Sequence, residues 1–366
     1  MKPKSLYLHI PFCVHLCHYC DFTKVFYNEK WAKKYLEVLI YELQSYKIDK
    51  CKTIFIGGGT PSSLTYDQLE YLLSHLNKYL DKDYEFSIEV NPETLDFDKI
   101  SLFKKYGINR VSIGVQTFNE TVLKKLGRYH TNKDVKNVVN WLNKVGITNY
   151  SFDLIYGLEG TSKDDVKHDL DMALSYNVKH LSLYSLIIEP NTKFFISKVE
   201  ALNDDELRTI YDFIINYLYD HGFIHYEVSN FAIDEEHFSK HNLTYWQNKE
   251  YYGIGLGASG YINGIRYQNT KSLNEYFNYN FVVHKETIDL KNKEFEYIML
   301  NLRTIYGINF EQYNLLFNKN FKDYYKEEIN QLKKLNLIEI NENSLKVTSH
   351  NLYILDSIIT EFIKKL

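Results

Sequence analysis

Six short apolar segments alternate with amphipathic helical patterns over about the first half of the chain. These segments are rich in β-branched and aromatic residues, and they are predicted to be strands at residues 5–9, 53–56, 85–90, 110–115, 150–155 and 180–186. Regular alternation of strand and helix favours a parallel sheet with crossover helices. Because six units fall short of a closed eight-stranded barrel, we predict an α/β fold in the form of an open, partial (β/α)6 barrel.

The pattern changes after about residue 191. A helix is predicted at residues 204–219, and the chain beyond residue 291 is predicted to form helices and a short hairpin around residues 341–344. This last segment resembles a winged-helix module, and its mixed charges favour a structural cap over DNA binding. We therefore predict a barrel at residues 1–200, an extension at 201–290, and a smaller C-terminal α+β domain at 291–366.

Composition and charge exclude several classes of protein. The net charge of −4 argues against electrostatic binding to nucleic acid. No apolar run approaches the roughly 18 residues of a membrane span, and the first residues lack the apolar stretch of a secretory signal. Four cysteines in 366 residues are too few for a secreted disulfide framework. We expect a cytoplasmic protein with no nucleic-acid partner and no transmembrane segment.

Three of the four cysteines fall within eight residues, directly after the first predicted strand. The spacing C-x3-C-x2-C is formed by Cys13, Cys17 and Cys20. Thiolates suit iron–sulfur clusters or zinc, and three of them on a four-iron cluster would leave one iron open to a bound substrate. A structural zinc ion would instead need a fourth ligand, which His15 or His18 could supply. Cys51 stands alone and is predicted to be a small buried apolar residue.

Glycines or polar residues follow the ends of several predicted strands. They are Gly57, Gly58, Gly59 and Thr60 in the second unit, Glu89 in the third, Gln116 in the fourth and Asp153 in the fifth. In parallel β/α folds the working site lies at the carboxyl ends of the strands. Glycine lets the backbone approach a ligand, and a carboxylate such as Glu89 could accept a ligand ammonium. Alternatively, the glycines form only a turn, Asp153 is paired structurally, and Arg128 caps a helix.

The cysteine segment and the glycine triplet resemble the radical S-adenosylmethionine superfamily. Over nearly the whole chain, the resemblance is to the branch that contains oxygen-independent coproporphyrinogen III dehydrogenase and the HemW-type heme chaperones. It implies a 4Fe–4S cluster on the three cysteines, with S-adenosylmethionine at the open iron. It also implies that the residues matching the cofactor-binding positions are Tyr7, Tyr19, Gly58, Gly59, Thr60, Glu89, Gln116, Arg128, Asp153 and Ile187.

Three features of the resemblance favour the chaperones over the dehydrogenase. The dehydrogenase has a further cysteine where this chain has Phe22, and it has a long N-terminal extension for which Cys13 leaves no room. The segment from His241 to Trp246 also matches an H-N-x-x-Y-W motif that is linked to heme in the chaperones. Imidazole is a normal axial ligand of heme iron, and Tyr245 and Trp246 offer flat apolar faces to the macrocycle. Without the resemblance, such a histidine is more often structural.

The sequence therefore predicts a heme chaperone that binds heme and passes it to an acceptor protein. The alternative is a radical dehydrogenase that decarboxylates the propionates of coproporphyrinogen, and a third class is a zinc-stabilised binding module. The identity of the acceptor is not fixed by the residues. A homodimer is left open, since relatives form dimers.

Overall fold

A parallel β-sheet forms the centre of the first compact unit in the computed structural model, which describes residues 2–365. Within the described residues of this unit, seven strands take part: β1 (Ser5–Ile10), β2 (Cys51–Gly58), β3 (Leu80–Val90), β4 (Arg110–Gln116), β5 (Tyr150–Tyr156), β6 (His180–Ser185) and β7 (Tyr252–Ile254). Strands β1 to β6 lie side by side in chain order, and each pairs in parallel with the next. This order confirms the predicted open (β/α)6 arrangement.

Helices connect these strands. They are α1 (Glu29–Ser45), α2 (Tyr66–Leu76), α3 (Phe97–Lys105), α4 (Glu120–Lys125), α5 (Asn132–Val145) and α6 (Lys163–Ser175), followed by a single turn at Lys193–Ile196. The helical apolar spacing seen in the sequence corresponds to buried faces, since Leu69 and Leu76 of α2 are fully buried. Helix α2 begins at a capping box, in which Thr65 and Gln68 satisfy each other's backbone N–H groups.

The glycine-rich segment of residues 253–264 adds strand β7, which pairs in parallel with β1. A small three-stranded sheet follows, with strands Ser259–Ile262, Ile265–Asn269 and Val282–Thr287, of which the first two are antiparallel, and the short helix Leu273–Phe277 lies between the last two in the chain. The carboxylate of Glu42, fully buried on α1, accepts hydrogen bonds from the Gly255 N–H (3.0 Å), the Asn269 amide (2.6 Å) and the Tyr276 hydroxyl (2.5 Å). This buried acid therefore fixes the segment beside the sheet.

Chain contacts divide the protein into two compact units. The first contains residues 2–210 and 250–286, and the second contains residues 211–249 and 287–365. The three-domain division at residues 200 and 290 stays a prediction, and these contacts group residues 250–286 with the barrel unit.

The second unit combines helices with short strands. Its strands are Ile224–Glu227 and Asn230–Ala232, which pair as a hairpin, and Ile308–Asn309, Ile338–Ile340 and Ser344–Val347, which form a small antiparallel sheet. Its helices are Lys240–Trp246, Leu290–Asn301, Phe310–Phe317, Phe321–Tyr324, Lys326–Lys334 and Leu355–Ile363, and it also contains residues 211–220 of helix Asp204–Asp220. Across residues 2–365, no helix combines the length and the apolar character needed to cross a lipid bilayer.

Candidate cofactor-binding site

A cavity of about 420 Å³ opens at the carboxyl ends of the parallel strands. Of the residues predicted for the cluster and for S-adenosylmethionine, it is lined by Cys13, Cys17, Tyr19, Cys20, Gly58, Gly59, Thr60, Glu89, Gln116, Arg128, Asp153 and Ile187. These residues come from several strand ends and from the loop after β1, so the fold gathers widely separated segments around one space. Such convergence is what a binding site at this edge of a parallel sheet requires.

Tyr7 is the predicted cofactor residue that the structure places away from the cavity lining. Its hydroxyl lies 3.0 Å from His9 Nδ1, and His9 Nε2 lies 2.7 Å from the carbonyl oxygen of Thr23. Because Nε2 faces a carbonyl, it carries the proton, and Nδ1 therefore accepts from Tyr7. The His9 ring in turn packs against Gly58, which lines the cavity. A direct contact between Tyr7 and S-adenosylmethionine stays a prediction.

The cysteine loop is held in place by backbone hydrogen bonds. The His18 N–H donates to the carbonyl oxygen of Leu126 (2.9 Å), and the Phe194 N–H donates to the carbonyl oxygen of His18 (3.0 Å). Burial raises the pKa of the Cys13 thiol to about 11 and also raises that of Cys20. These thiols stay protonated until a bound metal replaces the protons, which is the usual coupling between metal binding and thiol ionisation.

A zinc site on this loop is less compatible with the geometry. Within residues 2–365, no three His, Cys, Asp or Glu side chains are gathered closely enough to hold a single metal ion. The His18 ring nitrogens lie 2.8 Å from the Lys125 carbonyl oxygen and 3.0 Å from Lys193 Nζ, and the His15 ring packs against Tyr129 with centroids 4.2 Å apart. A structural zinc ion needs a fourth ligand besides the three thiolates, whereas a cluster on three thiolates does not. Both imidazoles that could supply this fourth ligand contact other groups in this structure.

Two glycines at the end of β2 make room for a carboxylate and an imidazole. A Cβ atom added to Gly57 would lie 2.8 Å from Glu89 Oε2, and Gly58 has φ of +113°, a conformation that other residues rarely adopt. The Gly58 N–H donates to Glu89 Oε2 over 3.1 Å. The glycines thus bring the backbone against Glu89, which explains why side chains are absent at these positions.

Gly59 provides a test of how closely β2 approaches the cysteine loop. A Cβ atom there would lie 2.7 Å from the carbonyl carbon of Pro11 and 3.0 Å from Cys13 Sγ. We expect Gly59→Ala to lower the iron content after anaerobic reconstitution at least about fivefold, since such overpacking costs about 1–3 kcal/mol. Iron and sulfide assays check this. Gly222→Ala, where an added Cβ meets nothing within 4 Å and the cost is confined to the backbone φ of +80° far from the cysteines in the sequence, should keep its iron, and equal losses in both variants would contradict the steric explanation.

Two carboxyl groups line the cavity next to each other. Burial, together with the charge of Asp153, raises the pKa of Glu89 to about 8, although the hydrogen bond from Gly58 opposes the shift. Burial also raises the pKa of Asp153 to about 6, against hydrogen bonds from Ser112 and Ser182. The Ser112 hydroxyl lies 3.0 and 2.8 Å from the two Asp153 oxygens. A cation in the cavity would relieve the cost of ionising these acids, so this wall favours a positively charged ligand.

Arg128 lies between the strand ends and the cysteine loop. Its Nη1 donates to Asn91 Oδ1 over 2.9 Å and lies 3.8 Å from Cys17 Sγ, while its Nη2 donates to the Gly114 carbonyl oxygen. Gln116 has a left-handed backbone with φ of 66°, and a Cβ at Gly114 would lie 2.9 Å from the Gln116 amide. The sequence did not identify Asn91 or Gly114 as site residues, although both lie at strand ends, where such roles are common.

The residues predicted for heme share one short helix in the second unit. Helix Lys240–Trp246 begins at Ser239, whose side chain accepts from the Asn242 N–H. His241 is 1% exposed, its Nε2 lies 2.8 Å from the Tyr245 hydroxyl, and burial lowers its pKa to about 3. The imidazole is therefore neutral at physiological pH, which is the form that binds metal.

A second sequence segment supports this helix. The Tyr226 ring stacks on Phe238 with centroids 4.0 Å apart, and the Tyr226 hydroxyl accepts from the Ser239 N–H (3.0 Å). Burial raises the pKa of Glu227 to about 8, opposed by the hydrogen bond from the Ser229 N–H. The sequence offered no role for residues 226–231, and the structure shows that Tyr226 holds the helix at its start.

Two protein families match parts of this chain, and several known proteins are similar to nearly all of it. Residues 7–173 match the family described as the radical SAM superfamily, and residues 288–353 match the HemN C-terminal domain. Heme chaperone HemW from Lactococcus lactis is 39% identical and covers 99% of this chain and 98% of its own length. Heme chaperone HemW from Bacillus subtilis is 36% identical, with 94% and 95% covered.

Among solved structures, the fold matches coproporphyrinogen III oxidase (HemN) from Escherichia coli, described as a radical SAM enzyme. The TM-score is 0.87 at 23% sequence identity, and the match covers 100% of this chain and 91% of that one. At this identity the likeness concerns the fold alone.

Proposed function

This chain belongs to the HemW family of heme chaperones, within the radical S-adenosylmethionine superfamily, and on that premise we propose that it binds heme and transfers it to an acceptor protein. The observation that carries the proposal is 39% identity to a heme chaperone over 99% of the chain, which includes both compact units. The proposal includes a cytoplasmic location, where thiols stay reduced.

We propose that the 4Fe–4S cluster is held by Cys13, Cys17 and Cys20. When bound, such a cluster supplies one electron next to the sulfonium of S-adenosylmethionine. For the S-adenosylmethionine site we propose Tyr7, Tyr19, Gly58, Gly59, Thr60, Glu89, Gln116, Arg128, Asp153 and Ile187. In this assignment Glu89 accepts the ligand ammonium, and the backbone at Gly58 lets the methionine moiety approach β2. Ser112 holds the second acid, Asp153, in position for the ligand.

We propose His241 as the axial ligand of heme iron, with Tyr245 and Trp246 against the macrocycle. In the structure His241 Nε2 interacts with the Tyr245 hydroxyl, so iron binding would replace that hydrogen bond. The neutral imidazole requires no deprotonation before it binds iron, because its pKa lies near 3.

Heme titration of His241 variants tests this assignment. We expect His241→Ala to weaken heme binding by about tenfold or more and to change the absorption spectrum of bound heme, since an axial ligand is lost. Tyr245→Phe keeps the aromatic face but removes the competing hydroxyl, so it should strengthen heme binding about twofold to tenfold. His237→Ala, which removes a histidine paired with Asp234 at 2.7 Å, is the control and should bind heme as the wild type does. An unchanged spectrum and affinity in His241→Ala would reject the assignment.

An anaerobic assay separates the chaperone from the dehydrogenase alternative. Wild-type protein incubated with reductant, S-adenosylmethionine and coproporphyrinogen should form no protoporphyrinogen, and heme should bind saturably with Kd of about 10 μM or below. Formation of protoporphyrinogen without heme binding would reject the chaperone proposal.

A further inference from the structure

A second cavity, of about 410 Å³, lies beside the cysteine loop in the first unit. Its floor consists of buried apolar side chains: Val122, Leu126, Leu158, Leu186 and Phe194. The volume is within the range of about 300–1,000 Å³ that is typical of small-molecule sites. Leu186 lines both this cavity and the cofactor cavity, and Tyr19 packs against the same apolar cluster. The two cavities are therefore neighbours.

Two exposed lysines, Lys125 and Lys193, line the rim of this second cavity. The two His18 ring nitrogens lie close to these residues, with Nδ1 2.8 Å from the Lys125 carbonyl oxygen and Nε2 3.0 Å from Lys193 Nζ. Lys125 Nζ lies 3.9 Å from the position that a Cβ would take at Gly160. In the part of the chain that the structure describes, neither ammonium forms an ion pair with a carboxylate. Both cations are thus available to a ligand.

The rim also carries one acid. Glu159 lines the cavity together with the two lysines. The rim therefore has an excess of one positive charge above an apolar floor. This arrangement suits a ligand with a broad apolar surface and carboxylates along one edge.

We propose that this cavity is a second porphyrin site, separate from the heme site at His241, and that it receives the porphyrin ring of heme with the two propionates at Lys125 and Lys193, an inference that rests on the proposed heme function. Heme matches both features of the cavity, because its ring is apolar and its propionates lie together on one edge. The exposed rim leaves the propionate edge in solvent, where an acceptor can reach it. This cavity recognises the ring and the propionates, and it requires no ligand to the iron.

Binding of metal-free protoporphyrin IX to the full-length protein, followed by fluorescence, tests the inference without iron ligation. We expect Lys125→Gln with Lys193→Gln to weaken binding about five- to tenfold, the combined effect of two exposed ion pairs. Added salt should weaken binding to the wild type more than binding to this double variant. Glu159→Gln should strengthen binding about twofold, since it removes the acid from the rim. The matched control is Lys124→Gln with Lys198→Gln, two exposed lysines that do not line the cavity, and it should bind as the wild type does.

Two further measurements test the roles of the propionates and of the cavity separately. The dimethyl ester of protoporphyrin should bind the wild type as weakly as the free acid binds the double lysine variant. Ser197→Trp, which fills the cavity from its exposed rim, should weaken porphyrin binding at least about fivefold.

Equal affinity of the lysine pair variant and its control, with no effect of esterification, would overturn the inference. The heme chaperone proposal would survive that result if the wild type still bound heme, and both would fall if it did not. Tighter, lysine-dependent binding of oleate than of protoporphyrin would identify a fatty-acid site and would also overturn the inference.

Discussion

Replacing Cys17 by alanine should reduce the iron and sulfide content of anaerobically purified protein by about tenfold or more, and Cys13→Ala and Cys20→Ala should do the same. A cluster held by three thiolates loses a corner when any one of them is removed, and the remaining pair binds iron weakly. Cys17 also links the cluster site to the cavity, because Arg128 Nη1 lies 3.8 Å from its sulfur. Iron and sulfide assays, together with electron paramagnetic resonance after reduction, measure the result.

Cys51→Ala is the matched control for the cysteine variants. Cys51 begins strand β2 and Gly58 ends it, so the two lie about 23 Å apart along the strand. Cys51 is fully buried at the end of β2 opposite to the cavity, so it cannot reach a cluster on the cysteine loop. Iron should therefore stay at the wild-type level in Cys51→Ala. Persistence of iron in all three loop variants, or its loss in the control, would remove the basis of the proposed cluster site.

Local pattern predicted the strands that are apolar along their length and missed those that depend on distant partners. Strand β3 was predicted at residues 85–90 but begins at Leu80, because Leu80 pairs with Cys51 of β2 before an irregularity in the register, after which Glu85 pairs with Thr53. Strand β7 has three residues and a central glycine, so neither propensity nor alternation indicates it. It exists because β1 offers an edge and because Glu42 binds the following Gly255, which is 213 positions away in the sequence.

The candidate site was predictable to the extent that it follows from strand direction. Parallel strands place their carboxyl ends along one edge, so residues after each strand meet without further information. Tyr7 shows the limit of this argument. It faces the same side of β1 as His9, but His9 lies nearer the carboxyl edge, so His9 and not Tyr7 packs against Gly58 beside the cavity. Ser112 was not identified either, because its role depends on Asp153 facing it from the neighbouring strand.

Glu89→Gln should weaken S-adenosylmethionine binding about tenfold to a hundredfold at pH 7.5, because a charge-assisted hydrogen bond to the ligand ammonium is worth about 1.5–3 kcal/mol. Isothermal titration under anaerobic conditions measures this affinity. Glu70→Gln, which removes an exposed acid paired with Lys105 at 2.6 Å, is the control and should bind normally. Equal affinities of Glu89→Gln and the wild type would show that Glu89 does not contact the ligand.

The pH dependence of binding distinguishes Glu89 from a residue with a purely structural role. With its pKa raised to about 8, the carboxyl is mostly neutral below that pH, so ammonium binding must release a proton. Wild-type affinity should therefore fall by up to about tenfold per unit as the pH is lowered from about 7.5 to about 6, a range in which the ligand amine keeps its own proton.

The raised pKa of Glu89 also determines how the stability of the folded protein changes with pH. Glu89 favours the folded, ligand-free protein while it is neutral, and that contribution is lost as the pH rises from the unfolded value towards about 8. A bound cation compensates for this loss, so the thermal stabilisation by S-adenosylmethionine should grow with pH over the same interval. In Glu89→Gln the remaining pH dependence should move to about pH 6, where Asp153 titrates. A profile in Glu89→Gln that overlays the wild type would mean that the titrating acid lies elsewhere.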